Sequence, residues 1–209
     1  LELSVKTTRP RFTRRSIIAA APGLAFAGAW GNSALAQTDS DSGDLPDAAD
    51  AMVKIMPTAA PHVVFTNAKG QKLNLSDFAG HTLLVNLWAT WCGPCVAELP
   101  SFAALAPKLK TLGALVLPIS IDMSGAGAVQ PFYAAHGIRS LPILLDSVGA
   151  NLQALNTDAI PLTIVINPAG QLVARMDGAA NWNTPAILAF LKSLGGDGPT
   201  GNPDGFIPA

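Results

Sequence analysis

The chain has 209 residues, and its 13 Lys and Arg against 14 Asp and Glu leave a formal net charge of −1 at pH 7. No basic surplus of the kind that grips nucleic acid is present. A zinc site needs about four ligands, and beyond its two cysteines the chain offers only His62, His81 and His136, none at a paired spacing.

Thr13-Arg14-Arg15-Ser16-Ile17-Ile18 is a twin-arginine pattern. It follows Lys6, Arg9 and Arg11 and precedes an uncharged Ala- and Gly-rich run to Gln37 that contains the small-x-small site Ala34-Leu35-Ala36. Residues 1–36 are therefore expected to be a Tat-type signal peptide, with an uncleaved anchor as the alternative. The Ala-rich composition and Pro22-Gly23 favour cleavage over a permanent span. The segment holds no cysteine, so lipid anchoring is excluded, and no other stretch is long and apolar enough to cross a membrane. Without it, 8 basic and 13 acidic residues remain, a net charge of −5. Residues 37–60 read as a flexible linker, because Thr38 to Asp50 carries five aspartates with Ser, Gly and Pro and little apolar content.

The folded domain is expected over 61–194, about 150 residues or fewer, enough for one core. His62-Val63-Val64-Phe65 and Gln71-Lys72-Leu73 flank Asn67-Ala68-Lys69-Gly70, the signal of an N-terminal hairpin. Ser76 to Gly80 suggests a capped helical turn. Thr82 to Trp88 is apolar nearly throughout, as a parallel strand covered on both faces tends to be. A helix from about Gly93 to Leu112, interrupted by Pro100, leads to a second buried strand over Ala114 to Ile121. Ser124 is the expected cap of a helix across Ala128 to His136, closed by Gly137. A short strand at 143–145 and a weak helix through Leu155 follow. Leu162 to Ile166 and Leu172 to Met176 form an antiparallel hairpin about Asn167-Pro168-Ala169-Gly170. Thr184 caps a last helix to Leu194, and the Gly- and Pro-rich residues 195–209 read as a disordered tail. Alternating strands and helices followed by a hairpin predict an α/β fold, a mixed sheet flanked by helices.

The chemistry concentrates at Trp91-Cys92-Gly93-Pro94-Cys95, the end of the first buried strand, where open α/β sheets place their sites. A helix starting there directs unpaired backbone N–H groups and a positive dipole end at Cys92. That environment favours the thiolate, the form that attacks disulfides. Pro94 loses nothing in the first turn, because its missing N–H had no intrahelical partner. A structural disulfide over so short a loop would constrain the unfolded chain little. The cysteines therefore read as a redox pair, in an exported chain where they oxidise unless something reduces them. Trp88 is assigned to packing. His62, His81 and His136 read as surface or capping residues, and Asp122 as an exposed loop acid.

Asn86 to Pro100, with Trp91-Cys92-Gly93-Pro94-Cys95 at its centre, resembles the thioredoxin fold in its exported TlpA/ResA-type branch. Ile160-Pro161-Leu162-Thr163 and the approach to Trp182 fit the same pattern. The resemblance covers roughly residues 61–194 and implies a thioredoxin-like thiol:disulfide oxidoreductase with no cofactor beyond the Cys92–Cys95 disulfide. It implies that Cys92 attacks and Cys95 resolves, and that Trp91, Gly93, Pro94, Ile160 and Pro161 line the substrate rim. It also implies a cis peptide bond before Pro161, with Ile160 backbone free to pair with an extended substrate segment. Leu162 stands where the family usually has a second threonine. Thioredoxins carry a buried acid six residues before the nucleophile. Here that place is Asn86, so Glu98, on the helix face of Cys95, is the candidate proton acceptor.

Gly-Pro between the cysteines is the dipeptide of a reductant. The expectation is a periplasmic monomer that reduces a protein client, apocytochrome c or a cytochrome oxidase copper-site assembly protein, with electrons from a membrane thiol donor. A copper-binding scaffold is the competing class, though copper sites on this fold use a three-residue spacing or methionine clusters. A peroxiredoxin would need Pro and Thr where Val85 and Ala89 stand.

Overall fold

A computed structural model describes residues 45–195. The twin-arginine segment, the start of the linker and the tail beyond 195 lie outside the described residues. Eight strands, β1 (Val53–Ala59), β2 (Val64–Asn67), β3 (Lys72–Asn74), β4 (Thr82–Trp88), β5 (Ala114–Ser120), β6 (Leu144–Leu145), β7 (Leu162–Ile166) and β8 (Gln171–Asp177), form one sheet in the order β1-β8-β7-β4-β5-β6-β2-β3. The pairs β4–β5 and β5–β6 are parallel and the rest antiparallel. Five helices accompany it, α1 (Ala48–Ala51), α2 (Gly93–Leu109), α3 (Ala126–Ala135), α4 (Ala150–Ala154) and α5 (Pro185–Ser193).

All seven residues of β4 and all seven of β5 are buried, as their nearly continuous apolar runs require of strands covered on both faces. Alternation along β4 divides its side chains between two cores. Leu84 and Trp88 pack with Leu99, Phe102 and Leu105 of α2, with Val129 and Tyr133 of α3, and with Ile187 and Leu191 of α5. Leu83, Val85 and Leu87 join Phe65, Phe78, Leu117, Ile164 and Leu155 on the other side. Each such fully buried Leu, Val or Phe contributes roughly 1.5–3 kcal/mol over leaving it in water. By the same parity Asn86 lies on the α2 side. Trp88 packs as expected, stacked on Tyr133 at 5.7 Å.

The two hairpins form where expected, and Gly70 and Gly170 supply the positive φ of their turns, 78° and 74°. The turn after β3 is a 3-10 helix over Leu75–Phe78, capped by Asn74 rather than begun by Ser76. Helix α3 starts after Gly125, at φ 54°, two residues earlier than the expected start at Ala128 and without Ser124 as its cap.

The expected linker over 37–60 is corrected in its second half. α1 and β1 lie there, with β1 paired antiparallel to β8 at the sheet edge. Poverty in apolar residues argued against packing, but an edge strand is held by backbone hydrogen bonds and leaves its side chains in water. Val53 and Met56 are indeed exposed. Asp47 fastens the start by accepting from Ala49 N at 2.9 Å and from the Thr184 hydroxyl at 3.0 Å. No helix among the described residues is long and apolar enough to cross a membrane.

Candidate active site

Helix α2 begins directly after the loop that leaves β4, with Cys92 as its N-cap. Cys92 Sγ accepts from Cys95 N at 3.2 Å and is bonded to Cys95 Sγ. Pro94 occupies the first turn. Cys95 has no exposed surface, whereas Cys92 retains 7%. Trp91 is 69% exposed, which places its ring on the surface beside Cys92 rather than in the core. Gly93 and Pro94 are also exposed, and a side chain added at Gly93 would meet nothing within 4 Å.

Antiparallel pairing of β4 with β7 sets Leu87 opposite Leu162. The start of β7 therefore lies at the end of β4, and the two residues before it reach the cysteines. The Ile160–Pro161 peptide bond is cis, as the resemblance implies, and the Ile160 carbonyl oxygen is 3.8 Å from Cys92 Sγ. Residues almost seventy positions apart thus form one rim.

Glu98 is completely buried. Its Oε1 accepts from Asn86 Nδ2 at 2.9 Å, and its Oε2 accepts from Ala180 N at 3.2 Å and from the Trp182 indole at 3.1 Å. Burial pushes its carboxyl up to about 7, against the downward pull of the Trp182, Ala180 and Asn86 donors. The folded chain thus holds a proton that the unfolded chain releases at its ordinary 4.5. The associated stability is complete below that value and is lost as pH rises through about 7, a swing of about 3 kcal/mol. A carboxyl balanced there can accept and return a proton at neutral pH.

Three residues depart from expectation. Asp122 is not an exposed loop acid. It is buried and accepts from Thr90 N at 2.9 Å, the Thr90 hydroxyl at 2.7 Å and the Ser120 hydroxyl at 2.7 Å. The parallel register sets Ser120 against Trp88, so the loops leaving β4 and β5 run side by side and Asp122 ties them together two residues before Cys92. His81 is not a surface residue either; it is buried, and neither ring nitrogen has a partner among the described residues. His62 and His136 are exposed as expected, with His136 Nδ1 2.9 Å from the Phe132 carbonyl. The third is Trp182, which sequence reasoning placed only as a landmark. It stacks on Phe102 at 5.1 Å while its N–H reaches Glu98. The usable signal for Asp122 was its position just past the end of a strand parallel to β4. For Trp182 the sequence carried no contact information.

With this geometry in hand, the comparisons are specific. A Redoxin family profile matches residues 56–190. The chain belongs to the Redoxin family. The chain has a thioredoxin-like fold. It is 32% identical over 119 residues to the thiol-disulfide oxidoreductase ResA of Bacillus subtilis, covering 57% of this chain and 65% of that protein. Among solved structures, the exposed lipoprotein thioredoxin Etrx1 of Streptococcus pneumoniae superposes with a TM-score of 0.52 at 26% identity, over 63% of this chain and 98% of its own. A secreted thiol-disulfide isomerase of Corynebacterium glutamicum shares the fold, with a TM-score of 0.57 at 20% identity over 68% of this chain and 92% of its own.

Trp182→Phe should keep the stacked ring and delete one donor to Glu98, raising the carboxyl midpoint by about one pH unit. Carboxyl-carbon NMR of the oxidised protein measures this, and an unmoved midpoint would contradict the assigned cause. Asp122→Ala removes three accepted hydrogen bonds and strands the Thr90 N–H, which should cost about 1–3 kcal/mol in urea unfolding. Thr90→Val, which deletes only one of them, should cost less.

Proposed function

We propose that the chain reduces disulfides of client proteins outside the cytoplasm. The observation that carries this reading is one constellation: the redox pair at the start of α2, the cis Ile160–Pro161 rim against it, and the buried Glu98 carboxyl in the same helix. In the reduced state the Cys92 thiolate attacks one client sulfur. A mixed disulfide forms, and the other client sulfur leaves as a thiolate and takes a proton. Cys95 gives its proton to Glu98 and attacks Cys92. The Cys92–Cys95 bond forms again as the bond from Cys92 to the first client sulfur breaks, and that sulfur leaves as a thiolate and takes a proton. Two electrons pass from the protein dithiol to the client disulfide, and no cofactor beyond the cysteine pair is needed.

Trp91 and Gly93 offer an exposed, partly apolar rim, and the Ile160 backbone offers hydrogen bonds to an extended client segment. The Gly-Pro dipeptide favours the reducing direction, near the thioredoxin value of about −270 mV rather than the DsbA value of about −120 mV. A reductant in an oxidising compartment must be recharged, so a membrane thiol donor belongs to the cycle. The twin-arginine pattern supports export to the periplasm, and relatives that are a secreted protein and an exposed lipoprotein agree with an extracytoplasmic setting. Apocytochrome c or an oxidase copper-site assembly protein is the client class. The two-residue spacing of Cys92 and Cys95 favours exchange over the copper-scaffold alternative, whose sites on this fold use a three-residue spacing or methionine clusters.

Cys95→Ala leaves the nucleophile without its resolving partner. Expressed in cells of the source, it should accumulate a dithiothreitol-sensitive adduct on Cys92 whose mass identifies the client. Absence of any adduct, with Cys92 free and alkylatable, would refute exchange activity.

A further inference from the structure

The amide of Asn86 is enclosed in the sheet–helix layer with no exposed surface, and so is Thr163, its neighbour on β7. Asn86 Nδ2 donates to Glu98 Oε1 at 2.9 Å and to Thr163 Oγ1 at 3.0 Å. Asn86 Oδ1 has no donor among the described residues. This arrangement suits one protonation state of Glu98 only. A carboxylate accepts and never donates, so it matches an N–H; a carboxylic acid must place one O–H against an acceptor.

The site of that proton is decided by the other oxygen. Glu98 Oε2 already faces two fixed donors, Ala180 N and the Trp182 indole. The proton therefore sits on Oε1, which points at the Asn86 amine. Donor then meets donor in a dry site, where an unmatched polar group costs about 1–3 kcal/mol. A half-turn of the Asn86 amide relieves this donor–donor contact and moves the amine to the place where the oxygen had no partner among the described residues. Its oxygen then accepts from the Glu98 O–H and from the Thr163 hydroxyl, which changes from acceptor to donor.

We propose that Asn86 is a positioning residue whose amide turns over as Glu98 gains or loses its proton, presenting donors to the carboxylate and an acceptor to the acid. Its unpaired oxygen in the ionised arrangement is the group held ready for the other state. The device depends on a side chain that carries both polarities at one end, which neither Asp nor Leu supplies. Glu98 is surrounded on every packed element by neutral groups: Asn86 from β4, Ala180 N and Trp182 from the segment after β8, and Thr163 of β7 through Asn86. On its own helix face Cys95 lies one turn earlier, and in the disulfide it carries no titrating proton. The only ion pair among the described residues is Arg175–Asp177, which involves none of these groups.

The inference rests on the reading of Glu98 as the proton acceptor for Cys95, and its test is kept separate from catalysis. The oxidised full-length protein, labelled with 15N and 13C, is examined at about pH 5 and about pH 9, two units either side of the Glu98 midpoint. At the higher pH the Asn86 amide protons should show nuclear Overhauser effects to the Thr163 side chain. At the lower pH these should be lost, and in Glu98→Gln the pattern should no longer respond to pH. Asn86 effects that are the same at both pH values in the wild type overturn the proposal. That result would leave exchange activity, judged by the Cys92 adduct, untouched. Conversely, absence of the adduct would remove the proposed activity while the Asn86 titration in the oxidised protein stayed measurable.

Discussion

Glu98 has no contact with solvent, and an acid in that position must draw its hydrogen bonds from the protein or remain neutral. Its partners come from the middle of β4 and from two points after β8, while the residue itself is fixed in the second turn of α2. Satisfying one carboxyl thus requires the sheet, the redox helix and the return segment after β8 to be in register together. Burial and donors pull the carboxyl in opposite directions, and burial wins by enough to bring it to about 7 without locking it in either state. The site's proton economy depends on that balance.

The electron chemistry is arranged around the same helix. Its N-terminus supplies the N–H that meets Cys92 Sγ, and its first turn keeps Cys95 away from solvent while Cys92 retains a narrow opening. Two loops hold that opening in shape. The Ile160–Pro161 turn is delivered by the antiparallel partner of β4, and the Asp122 clamp by its parallel partner. The proposed nucleophile, resolving thiol and proton acceptor therefore lie within the first two turns of one helix and its N-cap, with the rim imported from both neighbouring strands. This division leaves the rim free to vary with the client while the proton and electron steps stay in the core.

Much of this is legible in the sequence alone. The cysteine spacing located the site, the nearly continuous apolar runs gave β4 and β5, and the turn chemistry gave both hairpins. The family pattern located the cis proline. What escaped the sequence has common causes. Edge pairing of β1 uses backbone hydrogen bonds, which leave no hydrophobic periodicity to read. Asp122 and His81 are polar residues whose burial is decided by the loops and strands around them, and single-residue character cannot report that. Asn86 was recognised as unable to titrate. That it touches Glu98 follows from its parity on β4, which could have been applied once Glu98 was placed on the helix that covers that face.

The central claim is that Glu98 takes the proton released when Cys95 resolves the mixed disulfide. The most direct measurement is the rate of that single step against pH, from a preformed mixed disulfide on Cys92, in the wild type and in Glu98→Gln. The account predicts a wild-type profile with an inflection set by Glu98 near neutrality, and a variant that is slower around pH 7 and lacks the inflection. Superimposable profiles would contradict it.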